Sequence, residues 1–490
     1  MSTQASAASP SQSFQGNDRL LFGIILGVVA FWMFAQTTLN IAPGMQETLG
    51  MNAEAMNIAV SITSLFSGIF IVVFGGLADR LGRLKVTQIG FILSIIGSLL
   101  VAITPANSAL TVPVMLAGRA LQGLSAACIM PASLALLKAY WEGPARQRAI
   151  SLWSIGSWGG SGLCSLFGGF MQDTFGWRSI FWLAIVFSVI GLLLMRGTPE
   201  SKVETKEPFK LDVPGILTFM VAMIAIQVFI TQGGKFGWAS PVSLGLLAVT
   251  FIFGFLFVRF ETQAGKPFFD FKLFKNSTFT GATISNFLLN GVAGMLIVSL
   301  QLLQIGGGLS ANESGWLTLG YAIAIIAFIR VGEKLLQRFG ARKPMIWGCL
   351  ITAFSIALLL PTNLMLTEYK VLAIVSYTLF GVGLAFYATP STDAALSNLP
   401  AEQSGAGAGI YKMASSLGAA FGVAISAAIF TAIRVSEEGI PALANAVDFV
   451  GRQDNVAVRE AAMIALSFNL FMVILAIISI MLTVPKGKKV

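Results

Sequence analysis

Runs of about 20 apolar residues, separated by short polar stretches, are the dominant pattern along this chain. A helix rises about 1.5 Å per residue, so each run is long enough to cross the ~30 Å hydrocarbon core of a bilayer. The runs predict spans near residues 20–42, 56–76, 86–104, 112–137, 150–171, 178–196, 211–231, 241–259, 280–304, 315–333, 345–361, 371–396, 406–433 and 461–484, fourteen in all. Between the second and third, the stretch GGLADRLGRLK from Gly75 to Lys85 carries four charges, Asp79, Arg80, Arg83 and Lys85. Charges do not remain unpaired in hydrocarbon, so this turn is expected at a membrane surface, with Gly75 and Gly76 at a helix end and Gly82 making the reversal.

Composition supports an all-α polytopic membrane protein. Hydrophobic residues make up 56% of the chain and charged ones 11%, with a mean hydropathy of +0.81, whereas about a quarter of a soluble domain is charged. The net charge of +9 comes without any basic, aromatic-interleaved soluble segment, so nucleic acid is not an expected partner. Histidine is absent, which excludes imidazole metal sites and leaves carboxylates or lysine as proton carriers. Cys128, Cys164 and Cys349 lie within apolar runs and read as packing residues. The chain has no GxxxxGK[ST] phosphate loop and no nucleophile and base pair, so ATP hydrolysis and enzyme chemistry are not expected, nor any cofactor or metal.

An even number of spans puts both termini on one side. Of the 31 Lys and Arg, only Arg178, Lys235, Lys370, Arg434, Arg452 and Arg459 fall in loops of the opposite side, while Arg119, Arg330 and Lys412 fall within spans. Positive loops stay inside, so both termini and the 75–85 turn are expected to be cytoplasmic in a multi-pass protein of the cell membrane. Residues 1–19 read as a disordered cytoplasmic tail and 485–490 as a basic one. A shift of 258 residues lays EKLLQRFGARK, Glu333 to Lys343, over the 75–85 turn and matches Leu335, Arg338, Gly340 and Lys343 to Leu77, Arg80, Gly82 and Lys85. This echo predicts two six-helix bundles, residues 20–198 and 277–484, joined by 199–276 with two extra membrane helices, and a substrate site between the bundles near the midplane.

Several stretches together resemble the major facilitator superfamily, and within it the fourteen-helix drug:proton antiporter branch. The 75–85 turn is similar to that superfamily's loop between helices 2 and 3. Arg119, Gln122, Gly123, Ser125 and Ala126 resemble its helix 4 motif with a buried arginine, and GSGLCSLFGG from Gly160 to Gly169 resembles the antiporter motif of helix 5. SIGSWGGSG, NFLLNGVAG, YATPSTD and GIYKMASSLG are similar to bacterial multidrug exporters associated with quinolone efflux. The resemblance implies the major facilitator fold and proton-driven export. The chain also departs from the branch: the helix 1 Asp falls on Ala35, beside Gln36, two helix 5 prolines fall on Ser161 and Ser165, and a helix 13 Arg falls on Ser415, one turn after Lys412.

The 75–85 turn reads either as a plain topological turn or as a conformational latch of Gly75, Asp79, Arg80, Gly82 and Arg83, with Asp79 capping or pairing with a neighbouring helix end. Arg119 reads either as a snorkelling interface charge or, on the resemblance, as a fixed cation that biases protonation of a nearby carboxylate. Arg330 and Glu333 share a helix face and read equally as a structural ion pair or as a proton-coupling pair. Asp393 and Lys412 complete the proton-coupling candidates, with a helix cap after Pro390 competing for Asp393. Since Ala35 is uncharged, Glu333 or Asp393 is the expected titrating carboxylate. Phe31, Phe34, Gln36, Asn40, Gln122, Met130, Trp153, Asn286, Asn290 and Tyr387 are the expected cavity side chains, although each also suits packing. Gly156, Gly159, Gly160, Gly168 and Gly169 let helices approach closely, which fits a rocking interface or static packing.

The expectation is a monomeric, proton-coupled exporter of small amphipathic antimicrobial compounds, quinolone-like or multidrug, working by alternating access in the lipid bilayer. A metabolite or siderophore exporter on the same fold, and a non-transporting membrane sensor or scaffold, are the alternatives.

Overall fold

The computed structural model describes residues 14–203, 212–265, 267–309, 311–434 and 440–487. The regular elements among them are helical. The amino-terminal half contains α1 (Asp18–Val29), α2 (Thr38–Leu49), α3 (Ala53–Leu81), α4 (Arg83–Ala102), α5 (Thr111–Tyr140), α6 (Gly143–Ser154), α7 (Gly160–Phe175) and α8 (Arg178–Leu194). Two further helices follow, α9 (Val213–Phe236) and α10 (Pro241–Gln263). The carboxyl-terminal half contains α11 (Ser277–Gly291), α12 (Gly294–Gln301), α13 (Ala311–Trp316), α14 (Leu319–Phe339), α15 (Arg342–Leu359), α16 (Leu366–Ser397), α17 (Ser404–Arg434), α18 (Pro441–Ala444) and α19 (Val456–Thr483).

Among the described residues twelve helices are long and apolar enough to cross a membrane, or up to thirteen if Leu166–Phe175 and Arg178–Leu194, bent by 113°, form one span. The expected spans at 150–171 and 178–196 are the two outside the twelve. The first is divided among α6, a π-helical turn at Ile155–Gly159 and α7, and α8 has only 17 residues. Similar π-helical turns interrupt the first span at Ala30–Ala35 and follow α12 at Leu302–Gly306. Such turns displace a backbone carbonyl from its usual partner and free it for a side chain. Helix starts follow ordinary capping chemistry: Asn17, Asn52, Asp212 and Asn276 each accept a hydrogen bond from a backbone N–H of the first turn.

The 75–85 stretch is less of a turn than its sequence suggests. α3 runs unbroken through Gly75 and Gly76 to Leu81, and the chain reverses only at Gly82, at φ 123°. The echo behaves alike: α14 runs to Phe339 and the chain reverses at Gly340, at φ 77°. Gly75 serves a different purpose from ending a helix. A Cβ there would strike the carbonyl oxygen of Gly405, and one on Gly405 would strike that of Gly75. A Cβ on Gly409 would stand 2.9 Å from the Ile71 carbonyl oxygen. α3 and α17 therefore meet backbone to backbone along a seam of small residues that joins the two halves.

A second contact between the halves is made by α6, which packs on α14 and α16. Here Gly159 faces Ile326 of α14, whereas Gly156, Gly160 and Gly168 face Ile25, Trp32 and Thr37 of the first span, inside the amino-terminal half. A Cβ on Gly169 would meet nothing within 4 Å, so no close helix approach requires a glycine there.

Both described chain ends dock on one face. The Phe14 ring lies 4.9 Å from that of Tyr140, the Gly16 N–H donates to the Tyr140 carbonyl at 2.8 Å, and Arg342 Nη1 donates to the Val484 carbonyl at 3.2 Å. This terminal face also carries the reversals at Gly82 and Gly340. Residues 1–13 of the expected amino-terminal tail, 204–211 of the linker and 488–490 of the basic tail lie outside the described residues.

The seam generates a stability test. Gly75→Ala overpacks the α3–α17 contact, at a cost of roughly 1–3 kcal/mol, and is expected to lower the Tm of the detergent-purified protein. Gly169→Ala, in open space, is expected to leave Tm unchanged or slightly raised. Equal losses in both variants would contradict the seam.

Candidate functional site

The site begins with a carboxylate aimed at the start of another helix. Asp79 accepts hydrogen bonds from the Gly405 N–H, at 2.8 and 2.9 Å to its two oxygens, and from the Ala406 N–H at 3.0 Å. These N–H groups open α17, where a helix has unpaired donors and the positive end of its dipole. Arg83, beyond the Gly82 reversal, donates to Asp79 through Nε at 3.0 Å and Nη2 at 2.9 Å, and Nη2 also reaches the Ala401 carbonyl at 2.6 Å. Both side chains are buried. Such an ion pair is tolerated because further hydrogen bonds satisfy the carboxylate. Glu200 holds the reversal from behind, accepting from the N–H groups of Leu84 and Lys85 at 2.9 Å each. Arg80 is half-buried on the same turn.

Two further polar contacts join the halves on this face. Arg146 of α6 donates to Asp393 of α16 at 3.2 Å and to Ser397 at 2.7 Å. Lys138, at the end of α5, donates to the Leu399 carbonyl. Glu333, by contrast, is engaged on its own helix, paired with Arg330 and accepting from Gln337 at 3.2 Å. The two candidate carboxylates thus differ in kind: Asp393 bridges the halves, and Glu333 pairs within α14.

Arg119 is buried inside the amino-terminal half. It donates to the carbonyls of Ala59 at 2.9 Å and Ala35 at 2.7 Å, and to Gln122 Oε1 at 2.7 Å, while Gln122 donates to Ser98 at 3.2 Å. The expected nearby carboxylate is not among these partners. The carbonyl at Ala35 ends the π-helical turn at Ala30–Ala35, and it receives the guanidinium instead.

The remaining candidates divide between the halves. Asn286 donates to the Tyr411 carbonyl at 3.0 Å and to Ser415 at 2.6 Å, Asn290 donates to Asn286 at 2.8 Å, and Tyr387 shares a 2.6 Å hydrogen bond with Ser285. These join α11, α16 and α17 in a buried polar cluster. Trp153 of α6 donates to Ser133 at 3.0 Å, and its ring lies 5.0 Å from the Lys412 ammonium of α17, across the halves. Met130 and Phe31 are buried in the same hydrophobic core as Trp153. Phe34 packs at 5.2 Å on Phe167 and 5.0 Å on Phe187, within the amino-terminal half. Gln36 donates to Ser64 at 3.4 Å. The Asn40 side chain lies outside the described ones. A pocket of about 160 Å³ lined by Leu303, Tyr369 and Arg459, and an apolar groove lined by Phe229, Trp238 and Phe421, involve none of the expected cavity side chains.

Sequence reasoning missed Lys138, Arg146, Gly405 and Gly409 as contacts between the halves. The SGAGAG start of α17 carried a cue, since small residues at i and i+4 on one face admit a neighbouring backbone.

Known proteins agree with this architecture. The Major Facilitator Superfamily profile matches residues 23–423 and 279–489. The chain is 46% identical, over 97% of each chain, to the proteins named quinolone resistance protein NorB of Staphylococcus aureus strains MRSA252 and MSSA476. A solved structure of the proton:xylose symporter XylE bound to 6-bromo-6-deoxy-D-glucose shares the fold, with a TM-score of 0.64 and 16% identity over 96% of both chains. With a family profile and relatives that each span most of its length, the chain belongs to the major facilitator superfamily of multi-pass membrane transporters.

Proposed function

We propose that this chain exports amphipathic antimicrobial compounds, quinolones among them, across the cell membrane in exchange for protons. The observation that carries the reading is the Asp79 contact, in which one half caps a helix of the other on a single face. Alternating access needs two arrangements of the halves separated by contacts that break together. A few charge-assisted contacts over a seam of small residues meet that need. The identity with proteins named for quinolone resistance supports the cargo. The Lys and Arg bias of the loops supports a cytoplasmic terminal face, in which case the arrangement described is closed to the inside.

In this cycle Asp393 carries the proton. Ionised, it pairs with Arg146 and holds the terminal face shut. Protonated, it loses that pairing, and the inward-open arrangement gains. A proton taken up from outside and released inside thus resets the carrier after drug release. Glu333 pairs with a residue of its own helix, so its protonation has no comparable leverage on the halves.

Asp79→Asn preserves shape and removes the charge. Losing one charge-assisted contact of roughly 1.5–3 kcal/mol is expected to cut quinolone efflux from cells about tenfold or more, with normal protein in the membrane, and undiminished efflux would contradict the latch. In everted vesicles Asp393→Asn is expected to abolish the stimulation of quinolone transport by an imposed pH gradient, and Glu333→Gln to retain it. The opposite pattern would move the proton to Glu333.

A further inference from the structure

Lys412 stands about two turns into α17, on the helix whose first turn Asp79 caps. Its residue is 6% exposed. The face of Trp153, 5.0 Å away, is the contact made by its ammonium, and neither an ion pair nor a hydrogen bond reaches it among the described residues. The other buried cations of the spans are provided for: Arg83 has Asp79, Arg119 has three carbonyls and Gln122, and Arg459 has the carbonyls of Thr362, Asn363 and Val450. A mostly buried ammonium without a carboxylate costs more than an indole face returns, and such unpaired charges inside spans mark sites of function.

The surroundings define what is missing. Asn286 is committed to Ser415 and the Tyr411 carbonyl, and the Tyr411 hydroxyl to Ser391 at 2.9 Å. These neighbours satisfy one another and offer no negative charge. Lys412 belongs to the carboxyl-terminal half and Trp153 to the amino-terminal half, so an unpaired cation and an aromatic face confront each other where the halves meet.

We infer that Lys412 and Trp153 form the recognition point for a planar aromatic compound bearing a carboxylate: the ammonium pairs the acid, and the indole, buried in the arrangement described, meets the ring system once the halves part. This rests on the drug-export reading and names the acid as the substrate feature read. Because the two groups come from different halves, rocking separates them, and the acid is held in one arrangement and released in the other.

The test is binding to the full chain in lipid nanodiscs of a fluoroquinolone with a free carboxylate, of its ethyl ester, and of ethidium. Wild type, Lys412→Met and Lys412→Arg are compared, and ethidium binding reports that each variant keeps its interior. The preference for acid over ester is expected to fall about tenfold, equivalent to ~1.4 kcal/mol, in Lys412→Met and to persist in Lys412→Arg. An unchanged preference in Lys412→Met, or parallel loss of all three compounds, overturns the assignment. Wild type that binds ester and ethidium but not the acid overturns it while sparing the drug reading, and wild type that binds none of the three removes both.

Discussion

A buried carboxylate at a helix start constrains the rest of this structure. Asp79 is buried, and two of its donors, the N–H groups of Gly405 and Ala406, belong to the other half of the molecule. An aspartate side chain is short, so it reaches those donors only if α3 and α17 touch backbone to backbone. That requirement accounts for Gly75, Gly405 and Gly409 in the seam. Arg83 must then lie beyond a reversal that brings it back over Asp79, which the φ of 123° at Gly82 provides. In the proposed cycle these parts break as one, because loss of the cap leaves a buried charge and bare helix donors together.

The echo of this stretch in the carboxyl-terminal half is instructive in its difference. Gln337 occupies the place of Asp79 and turns to Glu333 on its own helix. Among the described residues no carboxylate from α14 reaches the start of α6, and that side of the terminal face is instead joined by Arg146 with Asp393 and Ser397. One connection is a cap with four close donors on a single carboxylate. The other rests on the Arg146–Asp393 ion pair, which the proposed cycle opens by protonation. In the proposed cycle one contact supplies strength and the other responds to the proton gradient.

What the sequence made legible follows from which signals are local. The apolar runs were readable because hydrocarbon imposes a length, and Gly82 and Gly340 because a helix reversal at positive φ favours glycine. The partner of Asp79 was not readable: a helix start offers backbone N–H groups, which leave no residue signature. Arg146 and Lys138 looked like ordinary charges of an inside loop, and only the fold brings them to Asp393 and Leu399. The carbonyl that receives Arg119 was hidden for a related reason, since a π-helical turn at Ala30–Ala35 does not alter the apolar pattern. The same turns divide runs that read as continuous spans.

The claim on which the account depends is that α3 and α17 part during transport. A Cβ on Gly76 would stand 4.0 Å from that of Ala406, within the ~3.5–4.5 Å that a disulfide spans, and the native cysteines Cys128, Cys164 and Cys349 are buried. Gly76→Cys with Ala406→Cys therefore permits a reversible lock across the contact, followed by quinolone efflux in membrane vesicles before and after oxidation. The account predicts that oxidation cross-links the two helices and stops efflux, and that a reductant restores it. Full efflux by the cross-linked protein would contradict it.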